Sequence, residues 1–142
     1  MNIRGFDISD TEDVVTLWRK CGLTTAWNDP YEDISRKLTV QPELFLVGEC
    51  NGALVATAMA GYDGHRGSVY YLAVEPDLQG KGFGAELMCE IESRLYSMSC
   101  PKLNLDVRTT NHTVASFYKR LGYTKDSVAS FGKRLIADNK GV

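Results

Sequence analysis

The chain has 142 residues, 44% of them hydrophobic and 24% charged, which predicts one compact domain, 1–142, with little room for a second. Folding at this length buries roughly two-thirds of the unfolded surface, so neither metal nor disulfide is required to hold the core together. Lys and Arg number 16 against 18 Asp and Glu, a formal net charge of -2, so no global positive field gathers nucleic acid or an anionic membrane, and an anionic ligand must be held locally.

Residues 2–6 read as a short strand. Ser9, Asp10, Thr11 and Glu12 supply cap-type side chains and early acids, and Val14, Val15, Leu17, Trp18 and Cys21 follow at mostly helical spacing until Gly22. That predicts a first helix. Pro30, after a capping Asp29, opens a second, shorter one with Ile34 and Leu38 four residues apart. Residues 44–50 and 53–60 read as strands joined by Asn51-Gly52, a pair suited to the positive φ of a tight hairpin turn. After a polar turn at 61–67, residues 68–74 make a third consecutive strand, closed by Glu75-Pro76-Asp77.

The period then changes. Leu87, Met88, Ile91, Leu95 and Met98 keep helical spacing while Glu86, Glu90 and Arg94 fall on the other side. Residues 102–108 return to alternation through Leu103, Leu105 and Val107, so strand, helix and strand form a right-handed crossover with parallel strands. Val114, Phe117, Tyr118 and Leu121 mark a further helix stopped at Gly122, and 123–135 reads as a terminal pair of strands. The fold class is α+β, a central mixed and mostly antiparallel sheet flanked by helices.

No run approaches the roughly 18 apolar residues of a membrane span, and no apolar signal segment follows Met1, so the expectation is a soluble cytoplasmic protein without membrane or nucleic-acid partners. Cys21, Cys50, Cys89 and Cys100 contain no Cys-x-x-Cys pair and are expected as reduced thiols. Only His65 and His112 stand beside them, at no finger-like spacing, so no metal is expected.

Between the third strand of the meander and its helix lies Gln79-Gly80-Lys81-Gly82-Phe83-Gly84-Ala85, three glycines in alternation with one cation at a helix start. Glycine lets backbone approach a ligand, and the first helical N–H groups have no internal partner, so this is where a phosphate would sit; a tight turn with a helix cap is the plainer alternative. A P-loop needs Ser or Thr after the Lys, and Lys81 is followed by Gly82. Gly80, Gly82 and Ala85 satisfy G-x-G-x-x-A with Asp106 further on, but a dinucleotide fingerprint leaves its strand directly, whereas residues 75–79 intervene here and an antiparallel hairpin precedes the unit.

Leu72-Ala73-Val74-Glu75-Pro76-Asp77, the loop from Gln79 to Gly84, then Asn111, Ala115, Phe117-Tyr118 and Leu121-Gly122-Tyr123 resemble the GCN5-related N-acetyltransferase (GNAT) family in pattern and order. The resemblance spans most of the chain. Within that family it is similar to the small bacterial enzymes related to the ribosomal-protein alanine acetyltransferase, and 61–67 resembles the YpeA-type branch. What this implies is direct transfer of acetyl from acetyl-coenzyme A (acetyl-CoA) to an amine, with no acyl-enzyme and no metal. The alternative is a noncatalytic acyl-CoA sensor on the same fold.

By that resemblance the cofactor-binding set is Leu72, Val74, Gln79, Gly80, Lys81, Gly82, Phe83, Gly84, Ala85, Asn111 and Tyr118. Backbone from Gly80 through Ala85 would cradle the pyrophosphate, with Lys81 adding charge. The family's corresponding strand carries a bulge beside which pantetheine lies, and Leu72 and Val74 occupy the matching positions. The catalytic pair is Leu72, whose N–H would face the developing oxyanion, and Tyr118, whose hydroxyl would meet the departing thiolate; the Asn111 amide would hold the pantetheine. Asn111, Ala115, Tyr118 and Gly122 are separated by four, three and four residues, one helical stripe.

The acceptor is less defined. An alkylamine with pKa near 10.4 is mostly protonated at neutral pH, about 4 kcal/mol from its reactive form, so a base or water chain is wanted. Family members often place an acid or His on the third strand, where this chain has Ser68 and Tyr70, a departure from the pattern. Glu49, Asp63, His65 and Tyr70 are candidates by topology, and Trp27 and Asn28 sit in the region that covers the acceptor in this family. The expected acceptor is a small-molecule amine or a protein N-terminus, and the resemblance admits a homodimer.

Overall fold

The computed structural model describes residues 1–138. Five strands form one sheet in chain order: β1 (Asn2–Gly5), β2 (Phe45–Cys50), β3 (Ala53–Tyr62), β4 (Gly67–Val74) and β5 (Leu103–Asn104). The first four are antiparallel neighbours, and β5 joins β4 in parallel, so the class is α+β with a mixed sheet. The β2–β3 turn falls at Asn51 and Gly52, both at positive φ (51° and 80°), the geometry that lets a two-residue turn follow the twist of the strands.

Two helices cover one face of the sheet and two the other. α1 (Thr11–Lys20) buries Val14, Val15, Leu17 and Trp18, and α2 (Pro30–Lys37) buries Ile34, in a cluster with Phe45, Val47, Met59 and Ala73. Asp29 caps α2, its Oδ1 accepting from the N–H groups of Tyr31 and Glu32 at 2.9 and 3.4 Å, and Pro30 sits in the first turn, where its missing donor does no harm. α3 (Phe83–Ser97) and α4 (His112–Arg120) pack on the opposite face, where Leu87, Met88, Ile91 and Leu95 meet Leu46, Val55, Ala58, Val69 and Tyr118. Trp18 is fully buried, and truncating such a side chain to Ala costs roughly 3–5 kcal/mol.

Two strand predictions, three strands in all, are corrected. The expected strand at 102–108 pairs only at Leu103 and Asn104; Leu103, Leu105 and Val107 do pack against the core, but the backbone leaves β4 after Ser68. The expected terminal strand pair at 123–135 is absent, because residues 124–137 run as exposed irregular chain with no ladder partner. Phe131 is 94% exposed there. The segment is tied down at its end, where the buried Asp138 accepts from Arg36 at 2.6 Å and from the Asp29 N–H at 3.1 Å.

Candidate functional site

The centre of β4 breaks its own alternation. Thr57 pairs with Ala73 and Met59 with Tyr70, so β3 spends two steps where β4 spends three, and Tyr71 and Leu72 have no register partner. This is a bulge. Tyr71 sits at φ 55°, a left-handed conformation that a bulky residue adopts only when its surroundings hold it there.

The hold is visible. Thr57 Oγ donates to the Tyr71 carbonyl at 2.8 Å and accepts from the Trp18 indole N–H at 2.9 Å, all within the buried layer beneath α1. The Tyr71 ring stacks on Trp18, and its hydroxyl donates to Asp33 Oδ2 at 2.5 Å; burial and that carboxylate push the phenol pKa up. The sequence reading missed Thr57, Trp18, Tyr71 and Asp33 as members of the site. The available signal was Thr57, a polar side chain inside the otherwise apolar run 53–60.

Beyond Ser68 the edge of β4 that faces β5 has no ladder partner among the described residues, so the sheet opens from the bulge onward. At the end of β4 the Val74 carbonyl accepts from Gln79 Nε2 at 3.1 Å and the Cys21 thiol at 3.3 Å, and a short turn then leads to α3. Gly80 and Gly82 take φ of 79° and 86°, and a Cβ on either would project into open space. Gly82 caps α3 without any side-chain acceptor, and the first main-chain bond of the helix runs from the Glu86 N–H back to the Gly82 carbonyl at 3.0 Å. The donors of Gly82, Phe83, Gly84 and Ala85 precede that bond and lie at the positive end of a 15-residue helix, a geometry that receives an anion.

Gly84 joins this loop to the rest of the site. A Cβ there would lie 3.1 Å from Phe117 Cζ and 3.8 Å from Val74 Cγ2, so glycine lets α3, α4 and β4 meet. Tyr118 is 8% exposed, with its ring edge-on to Phe117 and Tyr123 in the cluster that Leu72 and Val74 pack against. Its hydroxyl makes no hydrogen bond among the described residues, and burial pushes its pKa up to about 12. Tyr123, by contrast, donates its hydroxyl to Glu92 and pins α3 to the segment after α4. Asn111 is the cap of α4, Oδ1 accepting from the Val114 N–H at 3.1 Å, which leaves its amide NH₂ group for other partners.

On the α1–α2 face, an open cleft of about 920 Å³ lies against the bulge. Trp27, Asn28, Asp63 and Tyr70 line it, together with Tyr71, Asp33, Arg36, Lys37 and Arg108, which sequence reasoning did not single out. Glu49 and His65 are not among its walls. Glu49 belongs to an ion cluster on β1 and β2, accepting from Arg4 Nε at 2.7 Å while Arg4 also grips Asp10 in bidentate fashion at 2.8 and 2.9 Å. His65 is exposed on the β3–β4 turn, where Asp63 Oδ1 accepts from its main-chain N–H at 2.8 Å. The Glu49 carboxylate serves that cluster, and the turn carries His65 away from the cleft.

The model of the acetyltransferase (GNAT) family matches residues 11–123. The chain belongs to that family. It is 50% identical over 140 residues, 99% of both chains, to acetyltransferase YE1169 of Yersinia enterocolitica. Among solved structures it resembles Ard1 from Thermoplasma volcanium, with a TM-score of 0.77 and 26% identity over 89% of this chain and 84% of that one. It shares its fold with AAC(6')-Iy, solved with the bisubstrate analogue CoA-S-monomethyl-acetylneamine, at a TM-score of 0.76 and 18% identity over 94% and 97% of the two chains. The protein is an acetyltransferase of the GNAT family. No helix among the described residues is long and apolar enough to cross a membrane.

Proposed function

We propose that this acetyltransferase moves an acetyl group from acetyl-CoA directly to a primary amine. One observation carries the reading: the unpaired amides at the start of α3 and the bulged, unladdered stretch of β4 are joined through Val74 and Gly84 into one continuous edge. That edge can take an extended ligand with a diphosphate at one end. The fold neighbour's CoA analogue is of that kind.

In this reading the amides of residues 80–85 receive the pyrophosphate, Lys81 adds a charge, and Gln79 begins the cradle by folding back on Val74. Main-chain groups of Leu72 and Val74 hold the pantetheine as an added strand edge does, and the Asn111 amide NH₂ contributes a donor. The Leu72 N–H faces the thioester oxygen as charge develops on it, a contribution of about 3 kcal/mol. A C–N bond forms to the acceptor, the C–S bond breaks, the amine gives up a proton and the thiolate gains one. Tyr118, protonated to about pH 12, donates to that sulfur throughout the physiological range.

The test is a melting shift with acetyl-CoA, with NAD as control, followed by thiol release with a panel of amines. A shift with acetyl-CoA and turnover with at least one amine is expected. Binding without turnover on any amine would favour a sensor, and a shift with NAD alone would overturn the reading.

A further inference from the structure

Over Gly61 on β3, side chains from three segments converge. A Cβ at Gly61 would lie 3.7 Å from Lys37 Nζ, 3.7 Å from Ser68 Oγ and 3.6 Å from Gln41 Oε1. Gln41 is fully engaged, its Nε2 donating to the Tyr62 carbonyl at 2.9 Å and its Oε1 accepting from the Tyr62 N–H at 2.8 Å. Lys37 and Ser68 are different. Their side chains have neither hydrogen-bond nor ion-pair partner among the described residues, and both border the cleft beside the bulge. Lys37 is only partly exposed, and burial lowers the pKa of its ammonium.

The charges that line the cleft point one way, Glu43 acting on Lys37 from outside its walls. Arg66 and Arg108 line the same cleft, and their guanidinium groups pair with no carboxylate among the described residues; the Arg66 side chain donates only to the His65 carbonyl, at 2.9 Å. The acids of the cleft are already occupied. Asp33 accepts from the Tyr71 hydroxyl at 2.5 Å and from Arg36 at 3.4 Å, and Asp63 accepts the N–H groups of His65 and Arg66, each at 2.8 Å. Arg36 is paired with Asp138. The cleft therefore offers three uncommitted cations, one of them partly desolvated, and no uncommitted carboxylate. A desolvated cation is costly to keep unpaired, and an anion from the ligand relieves it.

We infer that the acceptor carries an anionic group, a carboxylate or a phosphate, seated by Lys37 Nζ and Ser68 Oγ with Arg66 and Arg108 adding attraction. The inference rests on the acetyl-transfer reading, because it places the amine at the bulge. Ser68 precedes Leu72 by four residues, so the amine and the anion are about 10 Å apart once the bulge shortens the strand. A polycation would meet like charge here.

Matched acceptors test this. Thiol release is followed with trialanine as free acid and as carboxamide, with glucosamine 6-phosphate and glucosamine, and with spermidine. A charge-assisted hydrogen bond supports about tenfold or more in affinity, so the anionic member of one pair should exceed its neutral partner by at least that in kcat/KM, and the pair that responds separates carboxylate from phosphate. Lys37→Gln should collapse that ratio toward one by raising KM for the anionic member, and Lys37→Arg should restore it. Equal rates within both pairs, a preference for spermidine, or a ratio that survives Lys37→Gln would each overturn the inference. Titration of the same pairs, followed by NMR on the protein alone and with coenzyme A, needs no turnover. A Lys37-dependent preference for the anion there upholds the anion seat even if acetyl-CoA gives no melting shift, a result that would sink only the transfer reading; equal affinities within both pairs overturn the seat.

Discussion

The loop at 79–85 and the cleft beside Tyr70 are made of different materials. The loop is nearly all main chain: three glycines, two of them at positive φ, leave the first donors of α3 open to whatever approaches. The cleft is mostly side chain, gathered from the α1–α2 connection, α2, β3, β4 and the segment around Arg108. Main-chain recognition tolerates change in most side chains but not the addition of one where none fits. Side-chain recognition is the reverse, since each wall can be replaced singly and the loss is confined to the group it served.

Substitutions along the two regions should keep that contrast. The largest effect belongs to Gly82→Val, which puts a β-branched residue at φ 86°. Strain of roughly 1–3 kcal/mol should pull the loop out of that conformation and its donors out of line, lowering kcat/KM for acetyl-CoA by about a hundredfold or more, with the melting shift by acetyl-CoA lost. Retained affinity would show that the pyrophosphate sits elsewhere.

Next is Tyr118→Phe, expected to lower kcat by about ten- to a hundredfold while the acetyl-CoA melting shift stays intact. Because the Tyr118 proton is held up to about pH 12, the wild-type pH–rate profile should show no Tyr118 limb between pH 6 and about pH 10; activity should rise through that range with loss of the amine proton. A fall in rate above about pH 9 that Tyr118→Phe abolishes would keep the donor role but contradict so high a phenol pKa.

Thr57→Val keeps shape but strips the bridge between Trp18 and the bulge. One buried indole donor left unpaired costs about 1–3 kcal/mol, so the melting temperature should drop by several degrees and kcat should fall with it. A melting change without a kinetic one would make the clamp structural only.

The smallest effect is expected from Asp138→Asn, which loosens the end of 124–138 from Arg36 and from the cap of α2. Amide exchange in that segment should quicken while acetyl-CoA binding holds. The Asp138 carboxyl is lowered to about 2, chiefly by Arg36, so its contribution is complete above the unfolded pKa near 4 and disappears as pH falls through about 2. In wild type the tail should therefore release on the acid side only, which exchange measured across that range would check.

The same contrast explains what could be read from the sequence. The glycine loop was legible because φ preference and spacing are local properties, and so were the caps at Asp29, the turn at Asn51-Gly52 and the four helices. The bulge was not, because 69–74 is a run of apolar and aromatic residues whose alternation can slip one step without leaving a mark. The cleft was half legible: Trp27 and Asn28 came from the family resemblance and Asp63 and Tyr70 from strand topology, but Asp33, Lys37 and Arg108 lie on segments that only tertiary packing brings together. Glu49 and His65 were candidates by topology alone; the structure places Glu49 in the Arg4 cluster and His65 on the β3–β4 turn, off the cleft walls. The predicted strand at 102–108 beyond Asn104, and the predicted pair at 123–135, failed for lack of a neighbour, since alternation alone cannot supply a hydrogen-bonding partner.

The additional residue in β4 also reverses which residues are even and which are odd along that strand. Val69, Leu72 and Val74 reach the same helical layer, while Tyr71 and Ala73 reach the opposite one. Deleting a single codon at 70 or 71 would therefore restore plain alternation, leaving each set on its own face but erasing the bulge that frees Leu72 from the ladder. In an evolving gene this short stretch should accept replacements far more readily than it accepts changes of length.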